Sequence, residues 1–171
     1  MTLWREENWG MKYKVRFGAD VYTFIQKDSK LVTYLSDYDY ITSKLKSTAS
    51  QHQLDDNSMF VLHICKFFEG VLKLIADETG WYQQFNKGKG TPIRMFYVNN
   101  RAKIETEIKQ KCPQNYQIII DKLFSTVGDF NDRHEAVHYG SLIKIEEIDN
   151  YDAILTEIKK MVKILIDNNL L

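Results

Sequence analysis

The sequence predicts an all-α fold, a helical bundle of about four main helices with short extra helices. Three observations lead there. Apolar residues recur at gaps of three and four along most of the chain, which is the period of a helix with one buried face. Only two prolines and eight glycines interrupt 171 residues, too few for a turn-rich sandwich or barrel. Hydrophobic residues make up 44% of the chain, which favours a packed core over disorder. At this length one domain with a sizeable core is expected. We read residues 19–171 as that domain and residues 1–18 as an N-terminal extension packed on it.

In the extension, Trp4 and Trp9 are expected anchors, and residues 11–17 alternate enough to suggest a small strand. Residues 19–46 carry Val21, Phe24, Ile25, Leu31, Leu35, Tyr38, Ile41 and Leu45, a helical stripe about seven turns long. Residues 47–53 are polar and read as a loop. Asp55, Asp56 or Asn57 is placed to cap the next helix, residues 57–79, which is apolar around much of its circumference and should be the most buried element. His63 lies within it as a core or groove histidine, and Gly80 stops it. Residues 81–85 suggest one helical turn. Residues 86–92 form a loop that has glycines but no Gly-Lys-Ser/Thr signature, so no phosphate loop is read there. A helix over 99–111 follows, then Pro113, then the stripe Tyr116, Ile119, Ile120, Leu123, Phe124, Val127 and Phe130 over residues 114–130. Gly128 and Asn131 weaken its end. Residues 141–148 connect, in extended form, to a last helix over 151–167 capped by Asp149 or Asn150. There are no repeats and no linker.

Formal net charge is zero, with 23 basic and 23 acidic residues, so any nucleic-acid binding must use a local patch. Such a patch exists in the sequence. Residues 85–111 carry seven cations against two anions, a net charge of +5, and residues 128–152 carry two cations against seven anions, a net charge of −5. These segments either face each other or are solvated faces, or else the basic one guides a polyanion. Cys65 and Cys112 lack metal-type spacing and no secretory signal precedes them, so free thiols in a reducing compartment are expected. No apolar run approaches the roughly 18 residues that span a bilayer, and a cytoplasmic protein with no membrane partner is expected.

The stretch of most chemical interest is residues 131–140, Asn-Asp-Arg-His-Glu-Ala-Val-His-Tyr-Gly, at a break between two helix-periodic segments. It contains two of the four histidines and one of five arginines. Chance alone gives roughly 0.35 matches to Arg-x(4–6)-His and roughly 0.004 to His-Glu-x-x-His in a chain of this composition. Read as His134-Glu135-x-x-His138, it offers two zinc ligands one helical turn apart and a general base, with Glu157 of the last helix as the third ligand. Against that reading, charged Asp132 and Arg133 precede the motif, Gly140 follows it closely, and Lys144 stands where a third histidine would fall in the extended zinc-peptidase pattern. Read as Arg133-x4-His138, it pairs a permanent cation that matches phosphate geometry with an imidazole able to exchange a proton near neutral pH. RNA carries its own nucleophile, the 2′-hydroxyl, so such a pair suits metal-free cleavage. In a third reading, Arg133 and the histidines cap a helix and pair with local acids.

The sequence Arg133-His134-Glu135-Ala136-Val137-His138, near the end of a bundle helix and before a terminal helix, resembles the signature of the HEPN superfamily. Those small helical domains carry Arg, four to six residues, then His, commonly with a polar residue directly after the Arg, here His134. The resemblance covers residues 19 to the end and rests on one short motif and an architecture. It implies a metal-independent endoribonuclease with no cofactor, toxin-like or defence-related, acting as a homodimer in which two motifs share one cleft. Arg133 would bind the scissile phosphate, His138 would transfer protons, and His134 would support the motif by hydrogen bonding. Arg101, Lys103, Lys109 and Tyr139 are the expected RNA contacts, and an antitoxin protein is an implied partner. Tyr139 follows His138 directly, which departs from the Arg-x4-His-x-Tyr pattern of members modified by nucleotidyltransferase antitoxins. Asp129, Asp132 and Glu135 add negative charge that opposes RNA unless the basic segment offsets it. Some members only bind RNA or nucleotides, or only dimerise, so a binding module without turnover is the alternative.

Overall fold

The computed structural model describes residues 3–52, 58–86, 91–138 and 148–171, and side-chain environments within 10–43, 61–86, 91–129 and 153–171. Among the described residues there are nine helices and no strand, so the fold is all-α. The helices are α1 (Leu3–Phe17), α2 (Ala19–Ile25), α3 (Ser29–His52), α4 (Ser58–Glu78), α5 (Trp81–Phe85), α6 (Ile93–Asn99), α7 (Arg101–Lys111), α8 (Tyr116–His138) and α9 (Ile148–Asp167).

The suggested strand at residues 11–17 is helix instead, as the second half of α1. Alternation over so short a window does not separate the two periods. Tyr13 and Phe17 are four residues apart and both buried, whereas Met11 and Val15 are 71% and 80% exposed, so one helical face turns inward. Trp4 and Trp9 lie outside the described side chains. The stripe over 19–46 is divided: α2 stops at Ile25 and α3 begins at Ser29. Asp28 causes the division, because its carboxylate accepts a hydrogen bond from the Lys30 backbone N–H at 3.0 Å and so caps the new helix. α3 also runs on through residues 47–52, where polarity suggested a loop. The proposed caps at 55–57 lie outside the described residues.

α4 is the central element, as its apolar circumference required. Val61, Ile64, Phe67, Phe68, Val71, Leu72 and Ile75 are all buried, and α4 touches α3, α5, α6, α8 and α9. Gly70 permits close approach of α3, since a Cβ there would lie 2.4 Å from Leu31 Cδ2. Gly80, at φ 77°, turns the chain into α5, whose Trp81 is buried and donates its indole N–H to Glu107 at 3.1 Å. α6 was not foreseen. It buries Ile93, Phe96 and Tyr97, and the Tyr97 hydroxyl donates to the Leu72 carbonyl at 2.9 Å. Burial holds that hydroxyl well above its ordinary pKa.

α8 and α9 form an antiparallel pair. Near the start of α8, the Asn115 amide donates to the Asn168 side-chain oxygen at 2.8 Å, and the Cys112 thiol meets the Asn168 carbonyl at 3.4 Å. The C-terminal end of α9 therefore sits beside the beginning of α8. α1 is tied to α9 by Lys159, which donates to the Arg16 carbonyl at 2.9 Å, and α2 packs on α9. Among the described residues no helix is long and apolar enough to cross a membrane.

Candidate functional site

The side chains that fix α8 are Ile119, Ile120, Leu123 and Val127, all buried against the core. They hold the first three turns rigidly, and the helix then continues without interruption through residues 131–138. The motif therefore lies on the helix itself, beyond the residues expected to weaken its end. Gly128 and Asn131 sit inside a continuous helix, where an interior glycine costs about 1 kcal/mol relative to alanine and does not end the helix by itself. Arg133, His134 and His138 thus share the last two turns of one element. Positions 134 and 138 are one turn apart, and positions 133 and 138 are separated by about 7.5 Å along the axis. Tyr139 and the 141–147 connection lie outside the described residues.

Glu157 is held by two lysines. Lys122 of α8 forms an ion pair with Glu157 Oε2, and Lys160 reaches Oε1 at 2.9 Å. These donors hold the carboxyl below its ordinary pKa, Lys122 contributing most. Lys122 precedes His134 by twelve residues and His138 by sixteen on the same helix, about 18 and 24 Å of rise. A carboxylate engaged with Lys122 does not reach a metal held at His138, so the zinc reading is left without the third ligand it named.

The basic segment is built into two different surfaces. Arg101 and Lys109 project from one face of α7 toward α8. The Arg101 guanidinium lies 4.7 Å from the Phe124 ring centre, and the Lys109 ammonium lies 5.3 Å from that of Tyr116. Together with Glu105, Gln117 and Asp121 they line an open groove of about 410 Å³. Lys103 points elsewhere, its ammonium 5.7 Å from the Phe85 ring centre. The local excess of cations is smaller than the sequence count, because Arg101 donates to Glu105 at 2.7 Å and Lys111 pairs with Glu107 at 3.4 Å. Arg101 packs at the level of Phe124, nine residues or about 13 Å before Arg133, and so lies nearer the motif along α8 than Lys109 does.

One further polar cluster was not singled out from the sequence. Asp39 is 9% exposed on α3, and Lys12 and Arg16 of α1 approach it at 2.7 and 3.2 Å. Tyr13 is buried beside the same carboxylate, and burial, then the Asp39 charge, push its hydroxyl pKa up. This network fastens α1 to α3. The Lys12 and Arg16 spacing of four was the one available signal. His63, expected in the core or a groove, is half-buried, with Nε2 3.7 Å from Asp37 Oδ2 and its ring beside that of Tyr34.

No family model matches the chain, and neither a curated protein nor a solved structure matches it significantly.

Proposed function

We propose that this chain is a metal-independent endoribonuclease of the HEPN type, with Arg133 and His138 as its reacting pair. The observation that carries the proposal is the placement of Arg133-x4-His138 in the final two turns of a long helix of an all-α domain, followed by a terminal helix. In this reading the RNA 2′-hydroxyl attacks the adjacent phosphorus. A P–O2′ bond forms as the P–O5′ bond breaks. His138 accepts the proton from the 2′-hydroxyl, and a second His138, from a partner copy in a homodimer, gives a proton to the leaving 5′-oxygen. Arg133 neutralises charge on the phosphate oxygens with a bidentate fork. The products are a 2′,3′-cyclic phosphate and a 5′-hydroxyl. His134 positions the motif, while Arg101 and Lys109 engage the RNA backbone next to Tyr116. A toxin-like or defence role, with a neutralising antitoxin and a cytoplasmic site of action, accompanies this reading.

The deciding experiment is cleavage of a labelled RNA by wild type and by His138→Ala, each with and without EDTA. Cleavage that survives EDTA and disappears in the variant supports the proposal. Binding without turnover would replace it with an HEPN-like RNA-binding or dimerisation module.

A further inference from the structure

A second concave site lies along α4 and shares no lining residue with the α7–α8 groove. It is a groove of about 520 Å³ between the start of α3, the middle of α4 and the first turn of α6, within the size range of small-molecule sites. Its chemistry is of two kinds. Tyr34 and Tyr82 supply aromatic faces, each ring held in place by another: Tyr34 lies 6.5 Å from His63, and Tyr82 lies 5.2 Å from Phe96 between ring centres. Lys30, Lys66 and Lys73 supply three ammonium groups. Lys66 and Lys73 are two turns apart on one face of α4.

These cations are weakly committed. Lys30 has no ion-pair partner among the described residues. Lys66 is engaged with the Tyr34 ring at 6.0 Å, and Lys73 stands 3.8 Å from Asp77, beyond hydrogen-bond distance. Two carboxylates share the lining. Asp28 is used to cap α3, which leaves Glu69 to accept a hydrogen bond from a hydroxyl or amino group of a ligand.

We propose that this groove binds a small molecule in which a planar ring carries a phosphate monoester, the ring stacking on Tyr34 or Tyr82 and the phosphate meeting Lys66, Lys73 and Lys30. A dianion suits three ammonium groups better than a single carboxylate does, and a fixed aromatic platform favours a flat ring. Glu69 disfavours a ligand anionic along its whole length. The site shares no residue with Arg133 or His138 and stands apart from the ribonuclease reading.

The test is calorimetric titration of the full chain with AMP, phenyl phosphate and inorganic phosphate. AMP and phenyl phosphate should each bind saturably at one site per chain, and inorganic phosphate should bind more weakly. Lys66→Ala and Lys73→Ala should each weaken AMP about tenfold, the loss of one charge-assisted contact. Both lysines are exposed, so these variants retain the fold, and circular dichroism checks this. Tyr34→Ala or Tyr82→Ala, whichever removes the stacking face, should weaken AMP and phenyl phosphate and leave inorganic phosphate unchanged, and undiminished binding of both ring ligands in the double variant would overturn the stacking. Arg133→Ala should bind AMP as wild type does, even if it loses RNA cleavage. The proposal is overturned if wild type shows no saturable binding, if the lysine variants bind AMP undiminished, or if Arg133→Ala alone abolishes binding.

Discussion

Lys122 of α8 and Glu157 of α9 form an ion pair that sets how the last two helices align. With Lys160 completing the carboxylate's partners, it links packing to pH. The folded-state pKa of Glu157 is lowered, so its contribution to stability is present above the ordinary glutamate range and is lost as pH falls through the lowered value. The pair is partly solvated, with 21% and 32% of the two side chains exposed, so solvent screening limits its worth to about 0.5–1 kcal/mol. Glu157→Gln should therefore unfold more easily in urea than wild type at pH 7 by that amount. The two should converge as pH falls through the lowered Glu157 pKa. A difference that persists undiminished in acid would mean that Glu157 contributes through packing and not through its charge.

Gly70 gives a prediction of opposite origin. Alanine usually stabilises a helix interior by about 1 kcal/mol over glycine. Here the added methyl would meet Leu31 Cδ2 at 2.4 Å, and Leu31 is itself buried. Overpacking of this kind costs about 1–3 kcal/mol, so Gly70→Ala should be destabilising on balance. Combining it with Leu31→Val should recover part of the loss, which thermal unfolding of the single and double variants would measure. Strict additivity of the two would show that the contact is not the cause.

The contrast between these sites shows how far the sequence could be read. Helix period alone located α4 and the body of α8 and α9, because their buried positions repeat at three and four with little interruption. It misjudged residues 11–17, where Tyr13 and Phe17 satisfy both a strand's alternation and a helix's four-residue repeat. It joined α2 to α3 because the apolar stripe continues across Asp28, whose capping bond is a local polar event invisible to hydrophobic pattern. It missed α6, only seven residues long and adjacent to a proline and two glycines. The motif was legible as a motif, but not the continuity of its helix, since Gly128 and Asn131 look like terminators until the long α8 is seen to run through them. The basic segment was legible only as a sum. Its division between an α7–α8 groove and the Phe85 side depends on helix rotation that Arg101, Lys103 and Lys109 do not reveal by charge.

That division is testable. Arg101 and Lys109 face one groove and Lys103 faces away from it. If RNA follows this groove toward the end of α8, Arg101→Ala and Lys109→Ala should each reduce RNA affinity and lower the steepness of its salt dependence by up to about one counterion. Lys103→Ala should change neither by a comparable amount. Fluorescence anisotropy with a labelled single-stranded RNA at several salt concentrations separates the cases. Equal effects at all three positions would point to diffuse attraction by the whole segment.

The reacting pair makes the sharpest demand. Arg133→Ala and His138→Ala should each lower the cleavage rate by at least about 100-fold, the usual contribution of a proton-transfer group or a charge-stabilising donor. Both should leave the unfolding midpoint near that of wild type if the two side chains serve chemistry and not the fold. Arg133→Lys keeps the charge but loses the bidentate fork, so it should recover RNA binding more fully than turnover. His134→Ala should produce a smaller loss than His138→Ala, because its assigned role is to hold the motif. EDTA should change none of these ratios. If His134→Ala and His138→Ala are equally inactive, and added zinc restores wild-type activity after chelation, the two histidines act as metal ligands and the phosphate-transfer reading fails.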